Sequence, residues 1–303
     1  MENIKFGKLL FKRNGILASG ILGVTGHSLL KVANSGAGGV TSKSISREKR
    51  KGHPPPVVQV FEHGVINAVG LSSLGIEESL KELKIVKSNS SAIVIASIFA
   101  GSIEEFSETA SFITEEYADA IEVNISCPNV SDEFGLPFAA SPQMAAKVTL
   151  AVRKATKLPL IIKLSPNFPN IGIIAKACEI NGADAISAIN TVGPGMIIDI
   201  NTYKPKISNK KGGLSGKCIL PIAVRCVYEI YQSVTLPIIG MGGITTYEDA
   251  IQIIMAGATL YGVGTGILYE GLEIFDKINN GIKNFLKEKK LSYEELVGIS
   301  HKT

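Results

Sequence analysis

An α/β barrel is the fold class this sequence predicts, and three observations predict it. Short apolar runs alternate with stretches of helical periodicity along nearly the whole chain. These runs end in polar or small residues, most visibly in Glu122-Val-Asn-Ile-Ser-Cys-Pro-Asn129. The last two runs end in glycine turns, where barrels commonly bind a phosphate. With 303 residues, 45% of them hydrophobic and 19% charged, the chain suits a single large domain spanning residues 1–303.

Each element has its own warrant. Residues 4–11 alternate around Gly7 and predict a small hairpin laid across one end of the barrel. Residues 16–20 form the first buried strand, whose small terminal residues Ala18, Ser19 and Gly20 let a ligand lie against backbone. Residues 36–43 repeat the design and end in hydroxyls and Lys43. Pro54-Pro-Pro56 breaks the chain before a second hairpin, residues 57–61 and 65–67, turning at His63-Gly64. A helix over residues 76–85 and a strand over 92–97 follow. The next helix opens with the capping box Ser102-x-x-Glu105, and Ile103, Phe106, Ala110 and Ile113 form its inner face. Residues 120–123 are a strand, residues 130–140 a long connection that could cover the site, and Ser141-Pro142 a helix start. A strand over 160–167, whose end turns polar, carries Lys163, and a strand over 185–189 delivers Asn190-Thr191. The lysine-rich stretch to Ser215 reads as a solvated loop inserted over the carboxyl face. The runs Leu236-Pro-Ile-Ile-Gly-Met-Gly-Gly243 and Leu260-Tyr-Gly-Val-Gly-Thr-Gly266 close the series, joined by a helix capped at Thr245 with Glu248 three residues on.

Composition removes several classes of function. A net charge of +4 and a pI near 8.7 are too mild for a dedicated nucleic-acid binder and agree with a small anionic substrate. Cys127, Cys178, Cys218 and Cys226 form no CxxC pair, so neither a disulfide framework nor a zinc site is indicated and no metal is expected. No apolar run approaches the roughly 18 residues that would span a membrane, and a cytoplasmic protein with reduced thiols is the expectation.

The polar strand ends predict one pocket. Asn67, Asn124 and Asn190 offer amide donors and acceptors without charge, which suits a flat polar ring such as a pyrimidine. Lys163 sits within an apolar run, a costly place unless it meets a negative partner, and is read as functional. Lys43, Lys163 and the phosphate turns together fit a phosphorylated cofactor such as flavin mononucleotide (FMN), because a cation near the ring stabilises its anionic reduced form. An isolated thiol is ordinarily a small buried hydrophobe, but two flanking asparagines place Cys127 at a binding mouth.

Asn124-x-Ser-Cys-Pro-Asn129, Thr41-Ser-Lys-Ser44, Asn67-x-x-Gly-Leu71, Lys163-Leu-Ser-Pro166, Asn190-Thr191, Gly212-Gly-Leu-Ser-Gly216, Gly242-Gly243 and Gly264-Thr265 occur in this order. On these motifs the chain resembles the class 1 dihydroorotate dehydrogenases, most closely the B type, over nearly its whole length. Class 2 members carry serine where this chain has Cys127. The resemblance implies a (β/α)₈ TIM barrel that binds FMN and oxidises dihydroorotate to orotate in pyrimidine biosynthesis. It implies Cys127 as the base, and Asn67, Gly70, Leu71, Asn124, Asn129, Asn190 and Thr191 as substrate contacts. It also implies Ala18, Ser19, Lys43, Lys163, Gly216, Gly242, Gly243, Gly264 and Thr265 as cofactor contacts. A homodimer core and a partner subunit carrying FAD and a [2Fe–2S] cluster belong to the same expectation. Two other readings stand beside it: a dihydropyrimidine dehydrogenase-like flavin domain, and a flavin-free barrel aldolase or isomerase using Lys163 as a Schiff base.

Overall fold

The computed structural model describes residues 3–126 and 138–302. Among these residues, eight parallel strands close into a barrel in chain order. They are β1 (Gly15–Leu17), β2 (Gly39–Thr41), β3 (Ile93–Ile98), β4 (Ala120–Asn124), β5 (Leu160–Leu164), β6 (Ala185–Ala188), β7 (Ile238–Met241) and β8 (Leu260–Val263). Helices α1 (Gly26–Ala33), α2 (Ile76–Asn89), α3 (Ile103–Ser111), α4 (Pro142–Ala155), α5 (Ile171–Ile180), α6 (Leu220–Ser233) and α7 (Tyr247–Met255) each follow the strand of the same number. The short α8 (Gly266–Glu270) and the long α9 (Ile274–Lys289) follow β8.

The two-residue period of a strand explains how one sequence fills both sides of the barrel wall. Ala120, Ile161, Ala185, Ile239 and Leu260 pack together inside. Their neighbours Ile121, Leu160, Ile162, Ile186 and Ile238 face the helix layer and join the larger core. Higher in the barrel the inward positions turn polar: Ser97, Glu122, Lys163 and Ser187 are all buried. Register sets the level at which they meet, since Ser97 lies opposite Glu122, Asn124 opposite Lys163, and Lys163 opposite Ser187.

The amino end is plugged. Strands Ile4–Phe6 and Leu9–Phe11 pair antiparallel across a turn at Gly7, whose φ of 58° favours glycine. Phe6 and Phe11 meet edge to face at 5.8 Å, in the same apolar cluster as Ile16, Ile161 and Leu260.

A second sheet lies at the other end. Strands Val58–Phe61 and Gly64–Asn67 form the expected hairpin, although Gly64 belongs to the strand and the turn falls at Glu62-His63. The lysine-rich stretch is not all loop: Val192–Gly195 and Gly212–Ser215 extend the hairpin into a four-stranded sheet, pairing Gly213 with Asn67. Gly213 is required there because any side chain would collide with Thr191. Between them, Ile198–Asp199 pairs with Lys204–Pro205 in a small exposed hairpin.

Three local expectations are corrected. The second helix runs on to Asn89, four residues past its predicted end at 85. Ser102 accepts from the Glu105 N–H at 3.1 Å as predicted, but the Glu105 carboxylate returns to Gly101 N at 2.6 Å. The cap of α7 is Thr246 with Asp249, one residue beyond Thr245 and Glu248, because Asp249 accepts from the N–H of both Thr245 and Thr246.

Candidate active site

The carboxyl ends of the strands bring most of the predicted residues to one mouth. β4 ends on Asn124, whose Oδ1 accepts from Asn190 Nδ2 and from Ser126 N, each at 3.2 Å. Its Nδ2 donates to Ser44 Oγ at 3.3 Å. Asn190 is itself fixed: its N–H donates to Leu164 O at 3.0 Å, and its Oδ1 accepts from Thr191 N at 2.8 Å. Two of the three predicted asparagines therefore touch, with hydrogen-bonding capacity left for a ligand. The third, Asn67, arrives on the accessory sheet and donates to Gly213 O at 3.4 Å.

The segment after Asn67 is shaped to approach a ligand with backbone. Gly70 and Leu71 both have positive φ, 78° and 53°. His53 braces the segment, donating its N–H to Val69 O and bonding through Nδ1 to Ala68 O, each at 3.0 Å. On the neighbouring wall Ser19 Oγ donates to Ser42 O at 2.7 Å, and Ser44 Oγ lies 3.0 Å from Ser97 Oγ. Lys43, half-buried, is anchored by its N–H to Gly23 O at 2.8 Å. Ala18, which precedes Ser19 in sequence, is buried and small enough to leave a flat wall.

Lys163 is buried, 5% exposed, and meets the negative partner its position requires. Its Nζ lies 3.8 Å from Glu122 Oε1 and 3.2 Å from Met241 Sδ. Glu122, only 1% exposed, also accepts from Ser97 Oγ at 3.1 Å and from Ser187 Oγ at 2.9 Å. Sequence reasoning did not single out Glu122. The signal was available: a carboxylate inside Ala120-Ile-Glu-Val123 is as costly as the lysine that was noticed. Asn167 was also passed over. It bridges two loops, donating to Thr191 O at 3.2 Å and accepting from Gly193 N at 2.8 Å.

The glycine turns follow β7 and β8; β7 pairs with β6, the strand that delivers Asn190. Gly242 and Gly243 have φ of 129° and 80°, and a side chain at Gly243 would collide with Leu220. A methyl group at Gly264 would meet nothing closer than Ala18 Cβ at 3.7 Å, so the wall there is open. The N–H groups of Gly242, Gly243, Gly264 and Thr265 donate to no protein acceptor among the described residues. Thr265 Oγ1 donates to Ser215 Oγ at 2.8 Å, tying this turn to the strand that ends before Gly216. Such a cluster of half-buried backbone donors fits an anionic group.

Cys127 and Asn129 lie outside the described residues, as does the connection over 130–137. Among the described residues no group of His, Cys, Asp or Glu could hold a metal ion. Nor is any helix there long and apolar enough to cross a membrane.

Fold and mouth together define a (β/α)₈ barrel whose carboxyl end gathers paired asparagines and backbone donors without protein acceptors among the described residues. Residues 1–286 match the family described as dihydroorotate dehydrogenase. The dihydroorotate dehydrogenase B (NAD(+)) catalytic subunit of Methanothermobacter thermautotrophicus is 42% identical over 287 residues, 94% of each chain. That of Methanosarcina mazei is 43% identical, covering 97% of this chain and 93% of its own. That of Pyrococcus abyssi is 41% identical over the full length of both. The solved structure of Eimeria tenella DHODH in complex with ferulenol shares the fold, with a TM-score of 0.85 at 21% identity, covering 99% of this chain and 89% of that one. The chain belongs to the dihydroorotate dehydrogenase family, and is an oxidoreductase on that ground.

Proposed function

We propose that the chain oxidises dihydroorotate to orotate, with FMN as its bound cofactor. The observation that carries this reading is the gathering of two kinds of group at the carboxyl end of one barrel. One is the bonded pair Asn124 and Asn190, and the other is the set of N–H groups of Gly242, Gly243, Gly264 and Thr265 that meet no protein acceptor among the described residues.

The residues fit the cofactor. The glycine turns would hold its phosphate, Ala18 and Ser19 would line its ring, and Lys43 and Lys163 would hold the ring's polar edge. When bound, FMN supplies a hydride acceptor for C6 of the substrate. Asn67, Asn124, Asn129, Asn190 and Thr191 orient the pyrimidine ring, and the backbone of Gly70 and Leu71 closes against it. Cys127, which follows Ser126 directly in sequence, takes the C5 proton as thiolate. Loss of the proton from C5 and of the hydride from C6 would leave the C5–C6 double bond of orotate.

Electrons must then leave the chain. The named relatives are catalytic subunits of NAD(+)-dependent enzymes, and a separate electron-transfer subunit accordingly belongs to the proposal. Such a partner would carry FAD and a [2Fe–2S] cluster and flank a homodimer of this chain. The lone chain offers no dinucleotide fingerprint and no cysteine spacing for a cluster. The dihydropyrimidine dehydrogenase-like reading shares the chemistry but not the carboxylate-bearing substrate, and Asn129 favours orotate. The aldolase reading is disfavoured by the pairing of Lys163 with Glu122.

Anaerobic titration of the purified protein with dihydroorotate tests the reading. A yellow protein that bleaches stoichiometrically supports it; a colourless protein that takes up no added FMN overturns it. Reduction of NAD by the chain alone would remove the need for a partner.

A further inference from the structure

We infer that Glu122 is a positioning residue that sets the electron affinity of the cofactor through Lys163, a role resting on the FMN reading above. The argument starts from burial. Glu122 and Lys163 are 1% and 5% exposed, so neither charge is solvated by bulk water. A buried charge survives only when it is paired and hydrogen-bonded. Glu122 is held from two sides, by Ser97 Oγ at 3.1 Å on β3 and Ser187 Oγ at 2.9 Å on β6. These hydroxyls fix a carboxylate whose Oε1 lies 3.8 Å from Lys163 Nζ on β5.

That separation exceeds a close hydrogen bond, and the distance matters. The ammonium is attracted to Glu122 without being consumed by it. With three donors, and Met241 Sδ at 3.2 Å, it keeps capacity for a further acceptor. The carboxylate offsets part of the positive charge that Lys163 presents to the mouth. Glu122 therefore restrains how strongly the site favours an anionic, reduced ring. The same hydroxyl network continues from Ser97 to Ser44 at 3.0 Å and from Ser44 to Asn124 at 3.3 Å, so the pair is also tied to the substrate wall.

Glu122→Gln keeps the shape and the hydroxyl contacts but removes the negative charge. The expected result is a more positive midpoint potential for bound FMN near neutral pH. The reduced-to-oxidised ratio at fixed potential should rise at least tenfold, about 30 mV for a two-electron couple. An unchanged or more negative midpoint overturns the inference, and a merely structural role would leave the potential alone. A second measurement needs no cofactor: a double-mutant cycle of Glu122→Gln and Lys163→Met on the unfolding of the flavin-free protein. The two losses should be strongly non-additive, because either change alone strands a buried charge; additive losses would sink the pairing. If the wild-type protein takes up no FMN, the flavin reading fails by that result, and the inference fails with it, whatever the cycle returns.

Discussion

The two ends of the barrel are built from the same eight strands yet have opposite characters. At the amino end Phe6 and Phe11 of the hairpin pack with Ile16, Ile161 and Leu260 in an apolar plug. At the carboxyl end the next inward positions are Ser97, Glu122, Lys163 and Ser187, followed by Asn124 and Asn190 at the rim. One or two steps of strand separate the two regimes. The lower level contributes hydrophobic burial and keeps the wall in register. The upper level spends part of that stability on buried polar groups whose use is chemical. Changes below should therefore act through stability, and changes at the rim above should act first on binding and chemistry, with the buried Glu122–Lys163 pair contributing to both.

The largest expected effect is below. Phe11→Ala removes a fully buried ring and should cost about 3–5 kcal/mol of stability. Chemical denaturation checks the loss, and the specific activity of the remaining folded fraction should be unchanged. Activity lost in proportion to chemistry rather than to folded fraction would show that the two ends are not separable. Next in size is Cys127→Ala, at the residue that follows Ser126 in sequence. Bleaching by dihydroorotate should slow at least about 10²-fold, the lower range for loss of a general base, with the denaturation midpoint unmoved. Bleaching at the wild-type rate would remove Cys127 from the mechanism.

The other thiols sharpen the contrast through pH. Burial pushes Cys178 up to about 12, partly offset by its hydrogen bond with Thr149, and pushes Cys226 up to about 11, partly offset by Arg225. Unfolded thiols ionise near 9.0. Below that pH both states hold the proton and neither thiol makes stability pH-dependent. Above it the unfolded chain releases protons that the folded chain retains, so stability falls, by about 1.4 kcal/mol per thiol per pH unit. The fall for Cys226 ends near 11 and for Cys178 near 12. The wild type should lose stability more steeply than a Cys178→Ala/Cys226→Ala variant between these limits, and parallel curves would refute the assignment.

What the sequence made legible follows the same division. The strands were visible because Ile, Val and Leu run together between breakers, and their carboxyl ends were visible because the run stops at Asn124, Lys163 or Asn190. Pairing between distant segments was not visible. Gly212–Ser215 joins Gly64–Asn67 across nearly half the chain, and no local pattern of glycine and lysine announces that. Glu122 was missed for a related reason: its partners Ser97, Lys163 and Ser187 lie on three other strands, and only the barrel register brings them level. Cys127 and Asn129 rest on sequence alone.

The smallest effect tests a residue that crosses the division. Thr246 sits on the carboxyl face, three residues after Gly243, yet its side chain serves the helix: its Oγ1 accepts from Asp249 N at 3.3 Å. Asp249, buried, returns Oδ2 to Thr245 N at 2.9 Å, Thr245 Oγ1 at 2.8 Å and Thr246 N at 3.0 Å. Two neighbouring threonines could each have capped α7 by sequence, and the carboxylate chose the second. Thr246→Ala removes the capping acceptor but leaves the three bonds to Asp249, so it should cost about 1 kcal/mol. Thr245→Ala keeps the cap and should cost less. Because Asp249 still clamps the turn that begins at Gly242, neither change should alter the affinity of the apoprotein for FMN, measured by quenching of flavin fluorescence. If Thr246→Ala weakens FMN binding by tenfold or more, the cap is part of the phosphate cradle. The boundary between the residues that hold the fold and those that hold the ligand would then run through α7 itself.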